Sequence, residues 1–185
     1  MNVIAPKLII REAKTAMEGF TDLHEIAVEF KVKNTLNGSI MMAQPSFKDI
    51  LKRKPRRKYL VLVSETFTIG TKTFSTLKLP SEIKIGWFAH ELGHIQDYQS
   101  LSSIGLLRFG LLYLTSKKFM KSAELKADTF ATQAGYGKYL VATKNFILNH
   151  AELPETYKAK IRRYYPSPDQ ILEIDKNLKT MEDIE

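Results

Sequence analysis

The chain contains no cysteine. That excludes a disulfide scaffold and any thiolate metal site, so a bound metal would have to use histidine and carboxylate ligands. It also leaves a reducing, cytoplasmic location open. Glycine and proline are sparse, at 9 and 7 of 185 residues. With 44% hydrophobic and 26% charged residues, the composition excludes a disordered or low-complexity chain. No long apolar run is present either. The longest, 101–114, is interrupted by Arg108 and is too short to cross a bilayer. The first ten residues lack the order of a secretory signal. Acidic residues are outnumbered, 20 against 28 basic ones, and the resulting charge of +8 is compatible with an anionic partner. The expectation is a single cytoplasmic domain over 1–185, with attachment to a membrane surface left open.

Local patterns divide this domain in two. Residues 8–18 carry apolar side chains at helical spacing. In 25–33, Ile26, Val28, Phe30 and Val32 alternate with polar residues, as in a half-buried strand. Asn37-Gly38 is a strong turn signal, after which 40–43 returns as a second strand. Residues 59–63 read as a buried strand, and 67–74, with Gly70 inside it, as its neighbour. The second half is helical: one helix from Ser81 through about Tyr98, then others near 117–134, 138–150, 154–164 and 168–179. Ser167-Pro168 supplies a cap and a first-turn proline for the last of these. The predicted class is α+β, a small, mostly antiparallel sheet followed by helices.

The helix from Ser81 contains His90-Glu91-Leu92-Gly93-His94, an H-E-x-x-H pattern. Positions four apart share a helix face, so His90 and His94 can reach one cation. Glu91 lies roughly 100° around the axis, flanking the ion without ligating it. Zinc lowers the pKa of a water it binds toward about 7, and a flanking carboxylate can then accept the proton as general base. With four histidines in the whole chain, a chance match is rare. The competing reading is two surface histidines on an amphipathic helix. A third ligand can come from Glu124, with Asp128 one turn on positioned to accept the free ring N–H of a ligating histidine. Ala123, Ala127 and Ala131 keep that face small enough for close helix approach. Alternatively, the face is merely solvated, with Lys121 and Lys126 nearby.

Leu79-Pro80 through His94, followed by Glu124-Leu125-Lys126-Ala127-Asp128-Thr129-Phe130-Ala131, resembles the gluzincin peptidases related to HtpX and the CAAX prenyl endopeptidase. The short minigluzincins of that group are nearest in size. The resemblance covers about 60–135, and the first 58 residues add nothing specific to it. It implies a zincin-like fold, one zinc ion per chain, Glu124 as third ligand, Asp128 as its partner behind the metal, and a peptide or protein substrate. It also implies a strand ahead of the active-site helix that pairs with extended substrate, for which 67–74 is the candidate.

The chain departs from the family pattern at one place. Tyr165-Pro166-Ser167-Pro168 stands where such proteins carry a His-Pro whose histidine stabilises the transition state. The Tyr165 hydroxyl can donate to an oxyanion in its stead, or its ring can simply pack over a helix junction. His150 is a weaker substitute donor. Two further segments have several readings. The apolar 101–114 stretch, with Lys117, Lys118 and Lys121 behind it, can be a core element, a dimerising surface or a peripheral membrane contact through 101–118. The basic run 52–58 reads better as a solvated loop than as a nucleic-acid site, since no aromatic residues interleave it. The function expected is metalloendopeptidase. The rival is a basic module, inactive as an enzyme, that binds anionic membrane or nucleic acid.

Overall fold

A computed structural model describes residues 3–36, 39–69, 72–149 and 153–182. The first half builds a four-stranded sheet from β1 (Val3–Ile4), β2 (Ala27–Lys33), β3 (Met41–Pro45) and β4 (Lys58–Ser64), with helix α1 (Ile10–Glu18) between β1 and β2. A separate hairpin, β5 (Thr66–Ile69) and β6 (Lys72–Ser75), follows. The second half is helical: α2 (Ser81–Gln99), α3 (Ser103–Thr115), α4 (Lys117–Ala131), α5 (Gly137–Asn149), α6 (Glu155–Tyr164) and α7 (Pro168–Glu182). The α+β arrangement is as the patterning predicted.

The sheet is not mostly antiparallel. Its order is β1-β2-β4-β3, and β1, β2 and β4 all run parallel. Only β3 opposes its neighbour, pairing with β4 so that Ala43 faces Val61. Side-chain alternation is the same in either pairing and cannot reveal direction. β4 therefore lies between β2 and β3, and the strands flanking the turn signal do not pair with each other. Asn37-Gly38, like Gly70, lies outside the described residues.

One face of the sheet supplies the core. Val28, Phe30, Tyr59, Val61, Val63, Met41 and Ala43 point inward and are buried, and α1 and α2 lie across them. Phe30 meets Phe88 edge to face at 5.1 Å. Helix α2 is enclosed on several sides, by the sheet, α1, α4 and α5, and 14 of its 19 residues are buried. Ser81 does not cap α2. Its hydroxyl instead donates to Glu12 on α1 at 2.8 Å, and Lys84 pairs with the same carboxylate at 2.7 Å. Helices α4 and α5 are joined by a π-helical turn in which Gly135 adopts φ 89°, a conformation that suits glycine. The last helix begins as expected: Ser167 Oγ accepts from the Gln170 N–H, and Gln170 Oε1 accepts from the Ser167 N–H, a reciprocal cap.

Candidate metal centre

A helix buried on several faces must account for its polar side chains, because each unpaired buried charge costs several kcal/mol, roughly 3–5 where a partner is lost. Helix α2 buries five such groups besides Ser81's neighbourhood: Lys84, His90, Glu91, His94 and Asp97. Lys84 is satisfied by Glu12, and Asp97 by Lys126 of α4. The remaining three are His90, Glu91 and His94, and they converge on one place.

Opposite them is α4. It presents Glu124, with its oxygens 3.1 Å from His90 Nε2 and 3.6 Å from His94 Nε2. One donor atom from each of His90, His94 and Glu124 lies within 4.8 Å of the others, and all three residues are buried. A tetrahedral ion at roughly 2 Å from its ligands holds them roughly 3.3 Å apart, so the spacing suits such an ion. One turn further along α4, Asp128 Oδ1 lies 2.6 Å from His90 Nδ1. Asp128 Oδ2 is 3.0 Å from the ammonium of Lys144, which comes from α5.

This geometry has a consequence for protons. With Nδ1–H donated to Asp128, the Nε2 lone pair of a neutral His90 points at Glu124 Oε2. Two lone pairs at 3.1 Å repel unless a cation lies between them, either a proton or a metal ion. The metal-free site favours the proton. Burial acts to lower the pKa of His90, but Asp128 and Glu124 outweigh it and raise it to about 10. Burial likewise acts to raise Glu124, yet His90 and His94 hold it well below the ordinary carboxylate range. Asp128 is lowered too, because Lys144 and His90 outweigh its burial.

Glu91 behaves in the opposite sense. Burial raises its pKa, partly offset by His90, His94 and the nearby Ala43 backbone amide. It shares a cavity of about 190 Å³ with His90, Met41, Tyr113, Lys144 and Tyr165. Tyr165, the C-cap of α6, has its ring 6.1 Å from that of His90 and 4.7 Å beneath the Lys144 ammonium. Burial, reinforced by Glu124, pushes its hydroxyl well above the usual range, so it remains a proton donor. All six candidate residues from the sequence, His90, Glu91, His94, Glu124, Asp128 and Tyr165, are therefore brought together. His150 lies outside the described residues.

Three groups went unnoticed in the sequence. Tyr113 of α3 donates a hydrogen bond to Glu124 Oε1. Lys144 anchors Asp128; a charged residue three positions from Ile147 and four from Leu140, on an otherwise apolar helix face, was its available signal. The third is the main chain of Ala43. The strand beside Glu91 is β3, at the open edge of the sheet, and not 67–74. Those residues form the β5–β6 hairpin, where Phe67 stacks on Phe74 at 5.3 Å. The hairpin lines a neighbouring cavity of about 390 Å³ with Trp87, Phe146, Leu153 and Tyr157.

The basic run is largely engaged within the molecule. Arg57 is buried and donates to the carbonyls of Lys52 and Leu101 and to Ser103 Oγ. Lys54 donates to the Ser100 carbonyl, Lys52 pairs with Asp49, and Lys58 pairs with Glu29 at 2.5 Å. The apolar 101–114 stretch is half core: Leu106 is buried and Phe109 packs on Tyr98, while Ile104, Leu107, Leu111 and Leu114 are exposed. No helix among the described residues is long and apolar enough to cross a membrane. No protein-family model, curated protein or solved structure matches the chain.

Proposed function

We propose that the protein is a zinc-dependent endopeptidase of zincin-like fold, with the metal held by His90, His94 and Glu124. The observation that carries the reading is the buried meeting of two imidazole Nε2 atoms with one carboxylate, beside a second carboxylate that is not part of the set. When bound, zinc would supply Lewis-acid polarisation of a carbonyl and an acidified water. The chain's own residues account for the rest. Glu91, its proton affinity raised by burial, accepts a proton from the attacking water and returns it to the leaving amine. Asp128 fixes the His90 tautomer, and Lys144 fixes Asp128. Tyr165 donates to the developing oxyanion.

The position of β3 supports a peptide substrate. The Ile40 carbonyl accepts from the Ser64 N–H, and the Ser46 N–H donates to the Lys58 carbonyl, so the even-numbered residues bond toward β4. Met41 and Ala43 therefore turn their main-chain groups toward the open edge. There the Ala43 carbonyl accepts from Tyr98 at 3.4 Å. An extended peptide laid along this edge would pass the metal and Glu91. The adjoining aromatic cavity fits a large apolar side chain next to the scissile bond.

Elemental analysis and a cleavage assay test the reading together. Wild type should hold one zinc per chain and His94→Ala none. Glu91→Gln should keep the zinc while losing about 10²–10⁴-fold in turnover. Failure of the wild type to bind zinc at neutral pH would overturn the proposal.

A further inference from the structure

Helix α3 has two faces of different use. Its inner face packs Leu106 into the core and brings Phe109 against Tyr98 and Phe119, each at 5.1 Å. Its outer face exposes Ile104 at 79%, Leu107 at 58%, Leu111 at 63% and Leu114 at 85%. These four fall at i, i+3, i+7 and i+10, one continuous stripe along the helix. An uncovered aliphatic stripe of this kind marks a contact surface.

The charge around it identifies what it contacts. From 98 to 123 there is no aspartate or glutamate, while Arg108, Lys117, Lys118 and Lys121 are all present and exposed. None of the four has an ion-pair partner among the described residues. The three lysines also occupy the first turns of α4, whose first turn carries no acid. Cations at a helix N-terminus oppose its dipole, so their placement costs local stability and calls for another use. A second copy docking about a two-fold axis would set the two Arg108 guanidinium groups against each other near the centre of the stripe. A surface that is apolar within and negative at its margin accommodates both features.

We propose that the outer face of α3, with the basic cluster at its C-terminal end, seats on an anionic lipid surface. Thirteen residues make a helix roughly 20 Å long, short of the roughly 30 Å hydrocarbon core, so α3 lies in the interface and does not span it. A second apolar tip adjoins it. Phe47 and Leu51 are each 82% exposed in the basic connection between β3 and β4. The same connection is tied to the start of α3 by Arg57, at 2.8 Å to the Leu101 carbonyl and 2.9 Å to Ser103 Oγ. Because α3 also carries Tyr113 onto Glu124, the lipid-facing helix is a wall of the candidate metal centre.

Vesicle co-sedimentation tests this independently of any catalysis. The purified chain is mixed with vesicles of phosphatidylcholine alone, or of phosphatidylcholine with phosphatidylserine. Wild type should sediment with the anionic vesicles and be released by salt. Lys117→Glu/Lys118→Glu/Lys121→Glu should weaken binding by at least about a hundredfold. Leu107→Ser/Leu111→Ser should abolish it while unfolding near the wild-type midpoint, its changed side chains being exposed. The glutamate variant should unfold no lower than wild type, because acids suit the start of α4. Wild type left in the supernatant with anionic vesicles, or either variant bound as well as wild type, would overturn the proposal. So would a wild-type dimer that Leu107→Ser/Leu111→Ser converts to monomer, which would assign the stripe to a second copy.

Discussion

A Cβ placed on Gly93 would stand 2.2 Å from the carbonyl oxygen of Ala127. Helices α2 and α4 touch backbone to backbone at that point, where Gly93 adjoins His94 and Ala127 adjoins Asp128. The contact sets how near Glu124 comes to His90 and His94. Gly93→Ala must push the helices apart, since a carbonyl cannot rotate away as a side-chain tip can. We expect a loss of about 1–3 kcal/mol in urea unfolding and weaker zinc binding in the chains that fold.

Asp128→Asn tests the residue behind the candidate metal centre. The amide preserves shape but removes the charge that holds His90 Nδ1–H, and it leaves the Lys144 ammonium without its carboxylate. Zinc affinity, measured against a competing chelator, should fall about 10–100-fold while the helical content stays unchanged.

The raised pKa of His90 predicts how the metal-free and metal-bound forms respond to pH. Below about 10 a metal must displace the His90 proton, so zinc binding should release a proton and strengthen with rising pH. For the metal-free protein the sign is the reverse. A folded-state pKa above the ordinary 6.5 gives stability that is fully present below 6.5 and lost as pH rises through about 10. Thermal unfolding of the stripped protein across this window, with and without zinc, should show the decline only without it.

Near the start of α2, outside the candidate metal centre, Glu12 and Lys84 form a buried pair that clamps α1 to α2. Burial acts to raise Glu12, but Lys84, with Ser81, holds its pKa below 4.5. A depressed carboxylate contributes stability that is present above 4.5 and lost as pH falls through the folded-state value. Glu12→Gln should cost about 3 kcal/mol at neutral pH by stranding Lys84, and should flatten that acid-side decline. Zinc content per folded chain should not change.

Tyr165→Phe separates the two uses of this residue. Loss of an oxyanion donor should lower kcat about 10²–10³-fold with zinc content and KM unchanged. A ring that merely packs over Lys144 would leave kcat as it was.

The residues that meet at the candidate metal centre, and most of the helices, were legible in the sequence because each depends on local spacing. Helix α3 was not, since 101–114 is apolar on nearly every side and periodicity leaves it unassigned. His90, Glu91 and His94 lie within two turns of one helix, and Glu124 and Asp128 within two turns of another. Sheet order was not legible. The alternation of Val28, Phe30 and Val32 gives the inner face but says nothing of whether β4 or β3 lies alongside. For the same reason the sequence points to 67–74, the segment just before α2, as the strand that would pair with substrate, whereas the strand beside Glu91 is 41–45. Tyr113 was hidden inside an apolar stretch, and Lys144 lies 16 positions from the Asp128 it pairs with. Both act through tertiary contacts that periodicity does not encode.

The open margin of β3 bears on colloidal behaviour. Main-chain groups that would accept a substrate strand would accept any extended chain, including the same strand of another molecule, which is the first step of sheet-to-sheet aggregation. Two features of this strand limit that risk. It is five residues long, and Pro45 at its end has no N–H to donate. Alternation leaves the main-chain groups of Met41, Ala43 and Pro45 at the open margin, and the Ala43 carbonyl is already engaged by Tyr98. The margin therefore offers a docking chain only brief pairing, so lasting attachment depends on side chains filling the adjoining cavities.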